Sequence, residues 1–324
     1  MSSGALASVL DVLALESPAE VARGRAALRR VLGWTDTSRW SDVAWSFSDL
    51  AGGSPVEIVW RPGRPGLFWT AEPAPPEWPT PRRVTRALAL ARVLGSRFGQ
   101  TEIGKFRALS SSSEGPWPIW LGGRHDATGD ATKLYVLVGS TPIGNYLQGP
   151  TAPLQRPGDQ MVMLGMSPDG GREYYWRRPS PQPGDRWCMA REPVLAPFVA
   201  RLDEALIDWT GKGLDGTDFG RIGISLKLSP AGEPEALAAF MRIHQVAGEQ
   251  CVRRRLLEAG GYCNPALASF WAAGRLRPMF LTLAATPWHV EPSIGLRPVD
   301  RGAHDCERGS IEKSRLGSRS KLIQ

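Results

Sequence analysis

The 324-residue chain has little cysteine, only six lysines and no long apolar run. Its four cysteines, Cys188, Cys251, Cys263 and Cys306, are widely separated, form no C-x-x-C pair and have no histidine at ligand spacing, which argues against a structural zinc. No G-x-G-x-x-G follows a β-like run and opens a helix, and no G-x-x-x-x-G-K-[ST] occurs, so dinucleotide and P-loop sites lose their main support. The N-terminal MSSGALASVLDVLALES lacks a basic leader and its apolar run is broken by Asp11, so neither a signal peptide nor a membrane span is predicted. A reducing cytoplasm is the expected location.

What is present is an ordinary core and an abundance of turns. Hydrophobic residues make up 42% of the chain, and 36 glycines and 28 prolines are spread between short β-like runs, which predicts one turn-rich domain over residues 1–299. The formal charge of +7 is partly carried by Arg301, Arg308, Lys313, Arg315, Arg319 and Lys321. They lie in a polar stretch, 300–324, that reads as a frayed tail. With no interleaved aromatics and no reading motif, the tail is expected to be solvated surface, not a nucleic-acid arm.

Residues 4–33 read as two helices divided at Ser17-Pro18, and RRVTRALALARVLGSRF as a third, with Val84, Leu88, Ala91 and Leu94 near one face. VLAPFVARLDEALIDWT and residues 233–259 are predicted helical, and a short helix is expected before the last strands. Strands are predicted at DVAWSFSDL, SPVEIVWRP, GLFWTAEP, PIWLGGRHD, KLYVLVG, QMVMLGMSP, REYYWRRP, GRIGISLKLSP, RPMFLTLAA and EPSIGLRP, and segment 140–159 fits no element. Short turns such as ATGDAT and Asp169-Gly170-Gly171 imply antiparallel pairs. Hairpins flanked by helices form a sheet that can close into a barrel and enclose a cavity when the strand count is near ten.

Period-two alternation shows which polar residues share a strand face. Lys133 and Tyr135 point the same way in KLYVLVG; Arg221, Gly223, Ser225, Lys227 and Ser229 do so in the later strand. A charge in an apolar strand faces solvent, a paired acid or an anionic ligand, because facing a packed core costs too much. Outward-facing lysines are the alternative, but helices packed outside the sheet would make the lumen the wet face. His125, between Arg124 and Asp126, faces away from both and is read as structural. Trp45, Trp60, Trp69, Trp120 and Trp176 either line a pocket or pack the core.

The stretch SFSDLAGGSPVEIVWRPG, with its run Ser54-Pro55-Val56-Glu57-Ile58-Val59-Trp60, resembles the segment of the dimethylallyltryptophan synthase family that places a glutamate inside a barrel. LFWTAEP is similar to the family's next strand, Lys133-Leu134-Tyr135 to its K-x-Y, and Lys227 to its second diphosphate lysine. The motifs span roughly residues 40 to 230. The resemblance implies an α+β fold, a closed antiparallel ten-stranded β-barrel surrounded by α-helices in αββα repeats. It also implies transfer of a dimethylallyl or longer prenyl group from its diphosphate to an indole or tryptophan-like acceptor, with no metal and no cofactor.

In that reading Glu57 accepts a hydrogen bond from the acceptor, and Lys133, Lys227, Arg221 and one of Arg61 or Arg64 bind diphosphate, with Arg124 and Arg297 as weaker candidates. Tyr135 and Tyr174 or Tyr175 shield the allyl cation. The sequence departs from the family where Ser225 and Ser229 flank Lys227 in place of an arginine and a tyrosine; Arg221 is the replacement cation, and Arg177 is a further candidate replacement. No D-D-x-x-D magnesium motif occurs. The expected partners are small molecules, for a monomer or homodimer. A phenol- or phenazine-directed enzyme of the same fold would not require Glu57, and a β-rich anion- or nucleic-acid-binding protein would explain the charge without chemistry.

Overall fold

In a computed structural model the described residues are 3–33, 55–75, 77–111, 119–138, 160–178, 190–215, 222–243, 252 and 276–298. Two helices open the chain, α1 (Ser3–Leu13) and α2 (Pro18–Leu32). Pro18 starts α2 at the position where its missing N–H costs nothing. Val21, Gly24, Leu28 and Val31 form the buried stripe of α2. Strands β1 (Val56–Trp60) and β2 (Gly66–Ala71) lead to α3 (Thr80–Val93) and α4 (Gln100–Ser111). Then come β3 (Ile119–Asp126), β4 (Gly129–Leu137), β5 (Gln160–Met166) and β6 (Arg172–Arg178). Helix α5 (Ala196–Thr210) ends at Gly211 in the left-handed region, φ 76°, and precedes β7 (Ile222–Leu228), β8 (Pro234–Arg242), β9 (Leu276–Ala285) and β10 (Val290–Pro298).

The strands close in the order β1-β10-β9-β8-β7-β6-β5-β4-β3-β2, every neighbour antiparallel. The short hairpin turns, at 61–65, 127–128, 167–171, 229–233 and 286–289, all lie at one end of the barrel; the helical connections lie at the other. Alternation sorts the side chains. Val56, Ile58, Leu67, Trp69, Leu134, Trp176 and Leu226 point outward into one apolar layer shared with Val21 and Leu28 of α2, Val84 of α3 and Leu202 of α5. Glu57, Lys133, Tyr135, Glu173 and Tyr175 occupy the intervening positions and face the lumen. Among the described residues no helix is long and apolar enough to cross a membrane.

The prediction of a helix over 233–259 is corrected by β8 at Pro234–Arg242, while residues 244–251 and 253–259 lie outside the described residues. Its Glu-Ala-Leu-Ala-Ala composition favours a helix in isolation, yet Leu237, Ala239 and Met241 are buried at period two, and the strand is paired on both sides. The turn Ser229–Glu233 folds the chain back from β7, with Gly232 at φ 87° and Ser229 N donating to Glu233 O at 2.8 Å. Helix α4 is not anticipated by the sequence; Phe106 is its one fully buried large side chain. The predicted strand at DVAWSFSDL, segment 140–159, the short helix before β9 and the tail lie outside the described residues.

His125 stacks against Trp69, centroids 6.1 Å apart, on the outer face under α2, and lies 3.1 Å from Asp130, so it is structural. On the same face a Cβ at Gly123 would overlap the fully buried Trp69 indole. Gly123→Ala is expected to cost about 2–3 kcal/mol through overpacking of a rigid ring; urea denaturation followed by fluorescence measures it, and a loss below about 0.5 kcal/mol would contradict this packing.

Candidate active site

Glu57 stands on the inner face of β1, in register with Thr70 of β2. Its carboxylate lies across Gly295 of β10, where a Cβ would overlap Glu57 Oε1. Among the described residues no hydrogen bond or ion pair reaches it, and burial raises its pKa from an ordinary 4.5 to about 7. A carboxyl in that range is partly ionised near neutrality, which suits a general base.

Across the lumen Lys133 on β4 is ion-paired with Glu173 on β6. Glu173 also accepts from Ser225 Oγ on β7 at 2.7 Å. Lys133 Nζ lies 5.1 Å from the Tyr135 ring centroid and 5.6 Å from that of Tyr175, and the two rings meet edge to face at 6.1 Å. Phe240 on β8 continues this wall, 5.8 Å from Tyr175. Burial opposes the Lys133 charge, but Glu173 and Tyr135 outweigh it and hold its pKa above the ordinary value. Burial likewise pushes Glu173 upward, and Lys133 and the Ser225 hydroxyl overcome that, leaving its carboxyl below the usual range. Burial pushes the phenols of Tyr135 and Tyr175 up.

Arg61 completes the group. It continues the inner face of β1 beyond Glu57 and Val59, its guanidinium 4.3 Å from the Phe68 centroid and 3.7 Å from Glu291. Burial lowers its pKa, and its charge is felt by Lys133 and Tyr135. Arg64, in the hairpin turn, is held at the rim by Asp126 at 3.1 Å and Glu291 at 3.3 Å. Of the two arginines, Arg61 lies toward the lysine and tyrosines, and Arg64 braces the mouth.

Of the other sequence candidates, Lys227 shares the inner face and register of Glu173 but sits at the rim, 46% exposed and 2.6 Å from Glu235. Arg124 is also at the rim, 3.7 Å from Asp126. Tyr174 is corrected: it is the outward member of the Tyr174-Tyr175 pair, buried in the apolar layer opposite Leu164 and Leu226, because adjacent strand residues face opposite ways. Trp60, Trp69 and Trp176 pack that layer too, whereas Trp120 faces inward and donates to Glu72 Oε1 at 2.7 Å. Arg221 and Trp45 lie outside the described residues, and Arg297 is placed by its backbone alone, in register with Arg277. Glu173 is the charged lumen residue that sequence reasoning missed; it shares parity with Tyr175, which is the signal that was there to use.

No family model matches the chain and no curated protein matches it in sequence. Solved structures do. The 6-dimethylallyltryptophan synthase of Micromonospora olivasterospora, solved with DMASPP and Trp, superposes with a TM-score of 0.67 at 18% identity, over 91% of this chain and 97% of that one. The 5-dimethylallyl tryptophan synthase of Streptomyces coelicolor, also with DMASPP and Trp, gives 0.64 at 16% identity, over 91% and 93%. AnaPT of Neosartorya fischeri gives 0.60 at 11% identity, over 90% and 91%. The chain therefore shares the barrel fold of these proteins, the fold its sequence motifs imply.

Because the Glu57 pKa is higher folded than unfolded, the carboxyl's contribution to stability is intact below about pH 4.5 and is lost as pH rises through about 7. Glu57→Gln is therefore expected to stabilise the protein above pH 7, by at most ~3 kcal/mol since water in the lumen offsets part of the burial, with no gain below pH 4.5. Thermal melts at pH 4, 6 and 8 test this, and a pH-independent effect would refute it.

Proposed function

We propose that the chain is an aromatic prenyltransferase that moves a dimethylallyl or longer prenyl group from its diphosphate to an indole or tryptophan-like acceptor by electrophilic aromatic substitution. The observation that carries this reading is one closed lumen holding a carboxyl of pKa about 7, a lysine and an arginine, and a pair of tyrosine rings beside the lysine. Structures of the same fold bound to DMASPP and Trp lend it support.

The carbon–oxygen bond of an allyl diphosphate breaks when the leaving group's charge is met. Lys133 and Arg61, fixed in a shielded site, supply that charge, each worth on the order of a few kcal/mol, with Lys227, Arg64, Arg221 and Arg297 as further cations. The leaving group needs no metal where such cations suffice. The allyl cation is then stabilised by the π faces of Tyr135 and Tyr175. Glu57 accepts the indole N–H, which can only donate, and so orients the ring and raises its nucleophilicity. The protein works without a cofactor, on small molecules alone, in the cytoplasm.

Incubation with dimethylallyl diphosphate and a panel of tryptophan, indoles, phenols and phenazines in EDTA, read by mass spectrometry, is expected to give prenylated indole. With that acceptor, turnover should rise with pH through about 7 as Glu57 ionises. Glu57→Gln should flatten the profile and lower kcat about 100-fold. Products confined to phenols or phenazines would move the reading to a different acceptor class. No product with any acceptor or prenyl chain length would favour a non-enzymatic anion-binding protein.

A further inference from the structure

Glu173 has no part in prenyl transfer as set out above, yet it occupies the centre of the cation group. It faces Lys133 and Tyr135 from β4, Gly165 from β5, Tyr175 on its own strand, Ser225 and Lys227 from β7, and, through its charge, Arg61 from β1. Lys133 is ion-paired with it, so the lysine's charge is already met. An anionic ligand reaching for Lys133 would meet a carboxylate at the same place, and two like charges in a shielded lumen repel strongly.

We propose, building on the prenyl-donor reading, that Glu173 is a built-in competitor for the donor's diphosphate. It holds Lys133 in the empty barrel, and diphosphate takes Lys133 over while Glu173 takes one proton from solvent. The carboxyl's surroundings suit that exchange. Burial is the largest influence on Glu173 and favours its neutral form; the influences keeping it ionised are chiefly Lys133, then hydrogen bonds from Ser225 and Tyr175. Removing Lys133 to a phosphate oxygen leaves burial and the ligand's charge acting in the same direction. The protonated carboxyl remains where Ser225 and Tyr175 can hydrogen-bond it, so no unpaired group is left behind. Glu173 is on this account a positioning residue that sets donor affinity and ties it to pH.

Equilibrium binding of inorganic diphosphate to the full chain in EDTA, from pH 5 to 9, tests the exchange. Glu173→Gln frees Lys133 and needs no proton, so it should bind diphosphate more tightly than the parent. The ratio of parent to variant Kd should grow with pH by up to about tenfold per unit, and taking the ratio cancels the titration of diphosphate itself. A ratio that stays constant with pH, or tighter binding by the parent throughout, would overturn the inference. Binding by neither protein would instead overturn the prenyl-donor reading. Should Glu173→Gln lose the barrel by circular dichroism, Ser225→Ala carries the test. It keeps Glu173 but removes a bond to its ionised form, and is expected to shift the proton-uptake window to higher pH; an unshifted window counts against the exchange.

Discussion

Three residue pairs join the two ends of the sheet: Ile58 with Leu296, Val59 with Gly295 and Trp60 with Ile294. Without them β1 and β10 would be open edges with unpaired backbone groups, and there would be no inside. With them, parity acquires a meaning around the whole ring. Ile58 and Leu296 point into the apolar layer beneath the helices, so Val59 and Gly295 point into the lumen, and Glu57 and Arg61 follow Val59 by two residues each way. The raised pKa of Glu57 depends on this closure, since on an open edge strand the same carboxyl would be hydrated.

Closure also sets a problem of space, because ten inner faces converge on one axis. The larger inward side chains meet it by lying flat against glycines of neighbouring strands: Lys133 and Tyr135 against Gly165, Tyr135 also against Gly122, Phe240 against Gly223, and Glu57 against Gly295. A strand glycine costs roughly 0.5–1 kcal/mol relative to alanine, and elsewhere in a sheet it would be a weakness. Here it lets charged and aromatic groups line the wall without filling the centre. Ala236, Ala238 and Ala284 on the inner faces of β8 and β9 have the same effect with less freedom of backbone.

Parity was legible in the sequence because it is local. Lys133 with Tyr135, and Ser225 with Lys227, share a face in the structure as period two requires. The barrel was legible for the same reason, through turns such as Asp169-Gly170-Gly171 that bring successive strands antiparallel. The count read from the sequence comes close to ten although β8 was read as helix; the strand expected at DVAWSFSDL lies outside the described residues. An alanine-rich run of period-two burial carries little contrast, as alanine suits both faces and prefers a helix when alone. Only the two neighbours on either side decide for a strand. Tyr174 and Tyr175 could have been separated from the sequence by choosing the parity that keeps Trp176 in the apolar layer.

The partner of Lys133 was of a different order of difficulty. Lys133 and Glu173 are 40 residues apart, on strands that flank β5, and they meet only through two successive registers: Tyr135 opposite Gly165, and Gly165 opposite Glu173. The first register is set across segment 139–159, which is too long for a tight turn to fix which residues face each other. A shift of two residues in either register would preserve every parity argument and still separate the pair. A strand lysine read alone is therefore a cation available to a ligand, whereas the same lysine read with its register is half of a neutral pair. The electrostatics of the lumen follow from that difference: what the site offers an anion is the charge left after Glu173 has taken its share, and Arg61, set among Phe68, Glu291 and the Lys133 group, is a second cation that Glu173 influences at a distance but does not pair with.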